Sequence, residues 1–428
     1  GLCASWWVLE PIPIPATSLI PFGVFPLTGV LTSKQVAASY GHHLILLLMG
    51  GFMLSVAIEK SGAHRRMALG MVRLTGGGGR RLILGFMIAS AICSMWISNT
   101  ATTLMLLPVA LAILGDDPPP SLQTALLLGI AYAASIGGVA TPVGTPPNVI
   151  FMGIYQQVTG VDYSFLEWMT IGVPVAVVFV PIAWVYLTRG VGDVSVPAIP
   201  EMGPWRAAER RVLIVFTVTA LAWVFRSAPA GGWSLLLGQL SSDPAAFASG
   251  ISDSTIALVA VAALFLIPAG DGDPLLDWET AVNIPWGLLL LFGGGIAIAE
   301  GFRESGLAQA LGDGLAGVAG LPLVVTIGAI CLAVTFLTEV TSNTATTNLL
   351  MPVLAAAAVA ATLEPRTLMI PAALSASCAF MLPVATAPNA IMFGTKRVTT
   401  RTMASEGLWL NLIGAVIITA LCTILLSP

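Results

Sequence analysis

The residues best equipped to do chemistry in this chain occur twice. Ser98-Asn99-Thr100-Ala101-Thr102-Thr103-Leu104-Met105-Leu106-Leu107-Pro108-Val109 returns 244 residues later as Ser342-Asn343-Thr344-Ala345-Thr346-Thr347-Asn348-Leu349-Leu350-Met351-Pro352-Val353, with nine of 12 positions identical. Downstream, Val143-Gly144-Thr145-Pro146-Pro147-Asn148 returns as Val384-Ala385-Thr386-Ala387-Pro388-Asn389, at an offset of 241. Upstream, Met49-Gly50-Gly51-Phe52 with Ser61-Gly62 matches Phe292-Gly293-Gly294-Gly295 with Ser305-Gly306. Three blocks in one order at nearly one offset define an internal duplication.

Each copy groups hydroxyls and a carboxamide with the backbone carbonyls that Pro and Gly free from helical bonding. Hydroxyl oxygens, Asn Oδ1 and unwound carbonyls are hard, neutral ligands suited to Na⁺. Asn N–H₂, Ser and Thr O–H, and the N–H groups at helix N-termini are donors suited to a carboxylate. Neither motif contains Lys or Arg. A dianion drawn to such a place needs its charge offset by helix dipoles and co-bound cations, because an uncompensated buried charge costs several kcal/mol.

The elements that position these motifs lie in a membrane. Of 428 residues, 17 are Lys or Arg and 21 are Asp or Glu, while 57% are hydrophobic. A soluble globular chain would carry about 25% charged residues. The apolar runs are long and unalternated, which favours helices over a β-barrel. With about 20 residues per span, the fold class is an all-α polytopic membrane protein with about 11 transmembrane segments. No signal-peptide n-region precedes Trp6-Trp7-Val8-Leu9, so the first span is expected to be partial at this start.

Other features close doors. A net charge of −4 leaves no basic footprint for nucleic acid. Cys3, Cys93, Cys331, Cys378 and Cys422 show no CxxC spacing and read as small core residues. His42-His43 is adjacent rather than at i, i+4, and His64 sits in a basic stretch, so neither makes a metal centre. Gly76-Gly77-Gly78-Gly79 lacks the ending of a phosphate loop and reads as a flexible cytoplasmic turn, so ATP-driven transport is not indicated. There is no Ser/His/Asp set and no HExxH, so the chain is not expected to be an enzyme. A channel pore would be lined by charged rings or filter carbonyls rather than by two polar tips.

Residues 1–190 hold the first repeat with N-terminal helices, 191–253 a Gly-, Pro- and Ser-rich connector, and 254–428 the second repeat. The connector carries one span, roughly Arg211 to Arg226, which implies that the two copies are inverted. Charge agrees. The loop between Leu44–Ile58 and Leu82–Ile92 holds Lys60, Arg65, Arg66, Arg73, Arg80 and Arg81 against Glu59, and is expected in the cytoplasm. Its counterpart, Glu300 to Gly320, has Arg303 against Glu300, Glu304 and Asp313, and is expected outside. Leu82 to Met95 is too short to span and meets Ser98-Asn99-Thr100 before the apolar run resumes, the pattern of a re-entrant hairpin with a polar tip. Leu321 to Leu337 repeats it. The blocks Thr141 to Asn148 and Thr386 to Asn389 read as unwound points in spanning helices. Glu339 stands where the first copy has Met95, and is read either as an ion ligand or as a structural partner.

Paired Ser-Asn-Thr motifs, each followed by Thr-Pro-Pro-Asn or Thr-Ala-Pro-Asn, resemble the divalent anion:sodium symporter family. Pro11 to Thr17 (Pro-Ile-Pro-Ile-Pro-Ala-Thr) and Asp277-Trp278-Glu279-Thr280-Ala281 are similar to it as well. The resemblance implies a homodimer in the plasma (inner cell) membrane, with a scaffold domain and a transport domain that moves as an elevator. It implies a first Na⁺ site on Ser94, Ser98, Asn99 and Gly144, and a second on Thr338, Ser342, Asn343 and Ala385. Substrate carboxylates would be held by Ser98, Asn99, Thr100, Ser342, Asn343 and Thr344, with Thr386 and Pro388 close by. Ser94 and Thr338 lie four residues before their motif serines, one helical turn away. The implied function is Na⁺-coupled symport of C4-dicarboxylates (succinate, malate, fumarate). The alternatives are a dicarboxylate exchanger of the same fold, or a citrate or sulfate symporter.

Overall fold

The computed structural model describes residues 2–75, 78–115, 118–192, 203–229, 231–270, 272–307, 310 and 322–426. Gly76 and Gly77, residues 193–202 of the connector, and Asp313 lie outside the described residues. Among the described residues the architecture is helical, with a single isolated bridge between Pro268 and Pro274. Six helical stretches among the described residues are long and apolar enough to cross a membrane: Ser33–Ser61, Pro120–Gly138, Phe165–Leu187, Trp286–Glu304, Asn343–Ala360 and Thr400–Leu425. The protein is a multi-pass membrane protein, and shorter apolar helices, among them Asn99–Leu114, Asp253–Leu266 and Leu323–Thr338, accompany these six.

Short helices (Leu2–Leu9, Ile14–Thr17, Ile20–Thr28 and Ser33–Tyr40) precede the duplicated unit. We number the principal helices that follow. The first copy comprises α1 (His43–Ser61), α2 (Ala63–Thr75), α3 (Gly79–Ser94), α4 (Asn99–Leu114), α5 (Pro120–Gly138), α6 (Pro146–Thr159) and α7 (Phe165–Leu187). The connector contributes α8 (Ala207–Val224), followed by α9 (Asp253–Leu266). The second copy comprises α10 (Trp286–Glu304), α11 (Leu323–Thr338), α12 (Asn343–Ala360), α13 (Arg366–Ala376), α14 (Ala387–Gly394) and α15 (Thr400–Leu425). Helix order repeats: α1 corresponds to α10, α3–α4 to α11–α12, α5–α6 to α13–α14, and α7 to α15.

The expected hairpins are present. In each, the motif serine is the N-cap of the returning helix: Ser98 Oγ accepts from Ala101 N at 3.2 Å and Ser342 Oγ from Ala345 N at 3.5 Å. The expected interruptions are present too, but displaced. The helix unwinds at 139–145 and at 377–386, whereas Pro146-Pro147 and Ala387-Pro388 form the first turns of α6 and α14. Proline is pre-organised for a first helical turn and has no N–H to leave unpaired there, so it starts the second half rather than breaking the first.

Two further expectations change. The basic stretch after α1 is not a loop: α2 is an amphipathic helix that buries Ala68, Leu69 and Val72 against α3 and leaves Arg65 and Arg73 exposed. Arg66 from its flank pairs with Glu209 at 3.1 Å and lies 4.7 Å over the Trp205 ring, which ties the basic helix to the connector. The connector's Ser227 to Ser252 stretch also contains two short helices, Gly232–Gly238 and Pro244–Ser249.

Packing of the copies is reciprocal. Within each, the hairpin helix lies on the first half of the broken helix, α3 on α5 and α11 on α13. The second halves cross over: α6 packs on α12 and α13, and α14 packs on α4 and α5. The closing helices α7 and α15 cover α3/α5 and α11/α13, and meet each other. Outside this unit, α1 packs on α8, α9 and α10, while α10 packs on the N-terminal helices.

The α3–α5 contact depends on a glycine. A Cβ on Gly137 would overlap the carbonyl oxygen and Cα of Ala91, two backbone atoms that cannot move aside. Gly137→Ala is therefore expected to cost about 1–3 kcal/mol and to lower the unfolding midpoint of the purified protein in a thermal-shift measurement. Gly70→Ala on α2, where a Cβ meets nothing within 4 Å, should leave it unchanged or slightly raised.

Candidate functional site

Unwound backbone inside a membrane must find partners for its polar groups, and each break is held by the asparagine that follows it. Asn148 Nδ2 donates to Gly138 O at 3.0 Å and to Thr141 O at 2.7 Å. Asn389 Nδ2 donates to Ala379 O at 3.1 Å and to Leu382 O at 3.0 Å. One carbonyl of each break is taken by an aromatic donor: Trp168 Nε1 donates to Val139 O at 2.8 Å, and Tyr132 Oη to Phe380 O at 2.7 Å. Closing helices come close enough only through glycine, since a Cβ on Gly172 or Gly407 would overlap Val139 O or Phe380 O respectively. Both breaks are thus single, defined conformations.

The two hairpin tips and the two breaks converge on one cleft of about 590 Å³. Its lining includes Ser98, Asn99, Thr100, Ser342, Asn343, Thr344, Gly144, Ala385, Thr386 and Pro388. Every residue assigned to substrate, and ten of the twelve assigned to either substrate or Na⁺, therefore come together although up to 290 positions separate them in the chain. Ser94 and Thr338 do not line the cleft. They are fully buried behind it, at the ends of α3 and α11, and the chain turns between them and the motif serines. The relation is therefore not one turn of a single helix. Instead, the Ser94 hydroxyl donates to Asn99 Oδ1 across the hairpin tip, and the Thr338 hydroxyl donates to Asn343 Oδ1 at 2.6 Å.

Oxygen density around the motif asparagines fits a hard cation. An ideal Cβ on Gly138 would sit 2.8 Å from Asn99 Oδ1 and 3.2 Å from Gly144 O, so the glycine leaves a small hollow beside two oxygens of the first proposed Na⁺ site. In the second copy, Thr338 Oγ1 is within hydrogen-bond distance of both Asn343 Oδ1 and Ala376 O, so one proton serves two acceptors. Asn148 Oδ1 and Asn389 Oδ1 are buried with no donor among the described residues.

The electrostatics favour an anion without any fixed cation. The N-cap residues of four helices line the cleft: Ser98 for α4, Thr145 for α6, Ser342 for α12 and Thr386 for α14. Helix N-termini carry partial positive charge and unpaired N–H groups. Among the described residues Glu59 is the one charged side chain in the lining, on the α1 wall with Phe52, Ser55 and Val56, and it accepts from Ser55 at 3.2 Å.

Sequence reasoning missed Thr145, although the repeat itself pairs it with Thr386. It also missed Ser55, Glu59 and Asn283, which line the opposite wall. No motif signals those three, because they reach the site only through packing of α1 and the segment before α10.

The family model for citrate transporters matches residues 4–367. The chain is 41% identical over 450 residues to the sodium-dependent dicarboxylate transporter SdcS of Staphylococcus saprophyticus, covering 99% of this chain and 84% of that protein. It is 40% identical over 440 residues to the SdcS protein of Staphylococcus aureus USA300, covering 97% and 82%. This chain belongs to the divalent anion:sodium symporter family. Among solved structures, the YdaH transporter of Alcanivorax borkumensis shares the fold, with a TM-score of 0.66 at 15% identity over 99% of this chain and 98% of that one.

Asn148→Leu would orphan Gly138 O and Thr141 O in a buried place, each worth about 1–3 kcal/mol. The variant is expected to unfold at lower temperature and to lose most transport, and thermal shift with uptake in proteoliposomes will check both. Asn389→Leu should behave alike.

Proposed function

We propose that this protein is a Na⁺-coupled symporter of C4-dicarboxylates (succinate, malate or fumarate) in the plasma membrane. The observation that carries the reading is one cleft lined by no Lys or Arg among the described residues and built twice over, from two Ser-Asn-Thr tips and two unwound helices, facing four helix N-termini. The names of the 41% and 40% identical relatives support it.

In this mechanism Na⁺ binds first, to Ser94, Ser98, Asn99 and Gly144 in one copy and to Thr338, Ser342, Asn343 and Ala385 in the other. The motif asparagines act in two ways: Oδ1 turns back to the cation, while N–H₂ faces the substrate. The dianion then finds amide and hydroxyl donors from Asn99, Thr100, Asn343 and Thr344, with Ser98, Ser342, Thr386 and Pro388 completing the pocket. Its charge is offset by the bound cations and the helix dipoles together. Substrate without cation would meet a pocket with no net positive charge and a carboxylate, Glu59, on the wall. Coupling follows from that imbalance.

The two repeats are inverted in the membrane, and the hairpins with α5–α6 and α13–α14 move as a transport domain against a scaffold that includes α1 and α10. The protein works as a homodimer through scaffold helices. Motion of the whole site past a fixed wall is an elevator, and it needs no rearrangement of the tightly held breaks.

Reconstituted protein should take up labelled succinate when Na⁺ is high outside and low inside. Uptake indifferent to that gradient would sink the coupling. Uptake driven by unlabelled dicarboxylate inside, with Na⁺ equal on both sides, would instead assign the exchanger mechanism, and competition by citrate or sulfate stronger than by succinate would reassign the substrate. Asn99→Ala and Asn343→Ala each remove an amide donor and a cation oxygen. Each should therefore raise the half-saturating concentrations of succinate and of Na⁺ together, by about tenfold or more, equivalent to ~1.4 kcal/mol for each ligand.

A further inference from the structure

Glu339 is a buried carboxylate, 3% exposed, in the turn of the second hairpin, and it does not line the cleft. Its oxygens accept four N–H donors: Phe380 N at 2.7 Å, Met381 N at 2.9 Å, Leu382 N at 3.0 Å and Asn411 Nδ2 at 2.7 Å. Three are consecutive amides of the second break, and the fourth comes from α15. All four are donors, the company of an ionised, acceptor-only carboxylate. Among the described residues no ion pair involves it.

The first copy solves the same local problem without charge. Met95 occupies the Glu339 position and Thr141 the Leu382 position. There the Thr141 hydroxyl donates to the Met95 carbonyl. Hairpin and break are bonded at the same pair of positions in both copies, by a neutral bond in one and by a carboxylate in the other.

Glu339 adjoins the second proposed cation site on two sides. Thr338 precedes it directly. Leu382, whose N–H it holds, accepts from Ala385 N at 3.2 Å and from Asn389 Nδ2 at 3.0 Å, closing the turn that presents the Ala385 carbonyl. A buried anion with hydrogen bonds but no counter-charge favours a cation nearby, because their attraction is weakly screened in this setting.

Resting on the reading of the two sodium sites above, we propose that Glu339 is a positioning residue that makes those sites unequal: its fixed charge and its clamp on Phe380 to Leu382 give the second site the higher Na⁺ affinity. The first site, with Met95, is the weaker and fills later.

The test is Na⁺-dependent thermal stabilisation of the purified full chain without substrate, with choline holding ionic strength constant. Glu339→Gln keeps the shape and most acceptors but removes the charge; its half-saturating Na⁺ should rise about tenfold, the equivalent of ~1.4 kcal/mol. Asn411→Ala disturbs the same network with the carboxylate retained, and should lower the Na⁺-free unfolding temperature while moving the Na⁺ midpoint less than about twofold, since ΔG per tenfold change is ~1.4 kcal/mol. Equal Na⁺ midpoints for these two variants would overturn the proposal. Should Glu339→Gln not fold, Ser94→Ala, which retains the second site, must show a lower Na⁺ midpoint than Thr338→Ala, which retains the first. Equal midpoints in that pair would also overturn it. If neither of that pair alters the Na⁺ response, the site assignment itself fails and the inference falls with it. A shift in both alongside an unmoved Glu339→Gln rejects the inference alone.

Discussion

Everything in this structure depends on keeping non-helical backbone satisfied at a depth where water cannot do it. An interrupted helix releases carbonyls and amides that cost several kcal/mol each if orphaned in hydrocarbon. The protein answers with side chains assigned to particular atoms: Asn148 and Asn389 bridge their breaks, Trp168 and Tyr132 each take one further carbonyl, and Glu339 collects three free amides. Only with those atoms engaged do the carbonyls of Gly144 and Ala385 stay at the cleft instead of collapsing into helix.

That same constraint explains the choice of neutral groups. A Lys or Arg in the cleft would bind a dianion unaided, but it would also leave an expensive buried charge whenever the site was empty. Helix N-termini provide positive potential that never needs a counter-ion, and the four that meet here come from both copies. Reciprocal packing is what makes this possible. Each break is bonded to its own copy's hairpin tip, but the helix that follows it packs on the other copy's hairpin, α6 on α12 and α14 on α4, so a complete site requires both copies.

The copies are nevertheless not chemically equal. Where the first has Met95, Trp168 and Leu104, the second has Glu339, Met403 and Asn348. Tyr132 of the first copy serves the second copy's Phe380 carbonyl while Trp168 serves Val139 in its own copy, so both aromatic donors come from the first repeat. Duplication supplied two similar halves, and substitution made them complementary.

Much of this was legible in the residues alone. The duplication, the hairpins, the membrane class and the motif residues follow from identity at a fixed offset and from apolar runs too short to span, both local properties. The break positions were misplaced by several residues, because proline marks where a helix can start as readily as where one stops, and local propensity does not distinguish the two. Helical spacing relates Ser94 and Thr338 to the motif serines, but the hairpin turn does not keep that spacing, and their hydroxyls bond the motif asparagines instead. Tertiary structure alone decided which tip faces which break, which aromatic donor reaches which carbonyl, that Glu339 clamps backbone rather than lining the cleft, and that Ser55, Glu59 and Asn283 form its far wall. Those relations join residues tens to hundreds of positions apart, and they arise from close packing of helices through glycine, which no run of sequence encodes by itself.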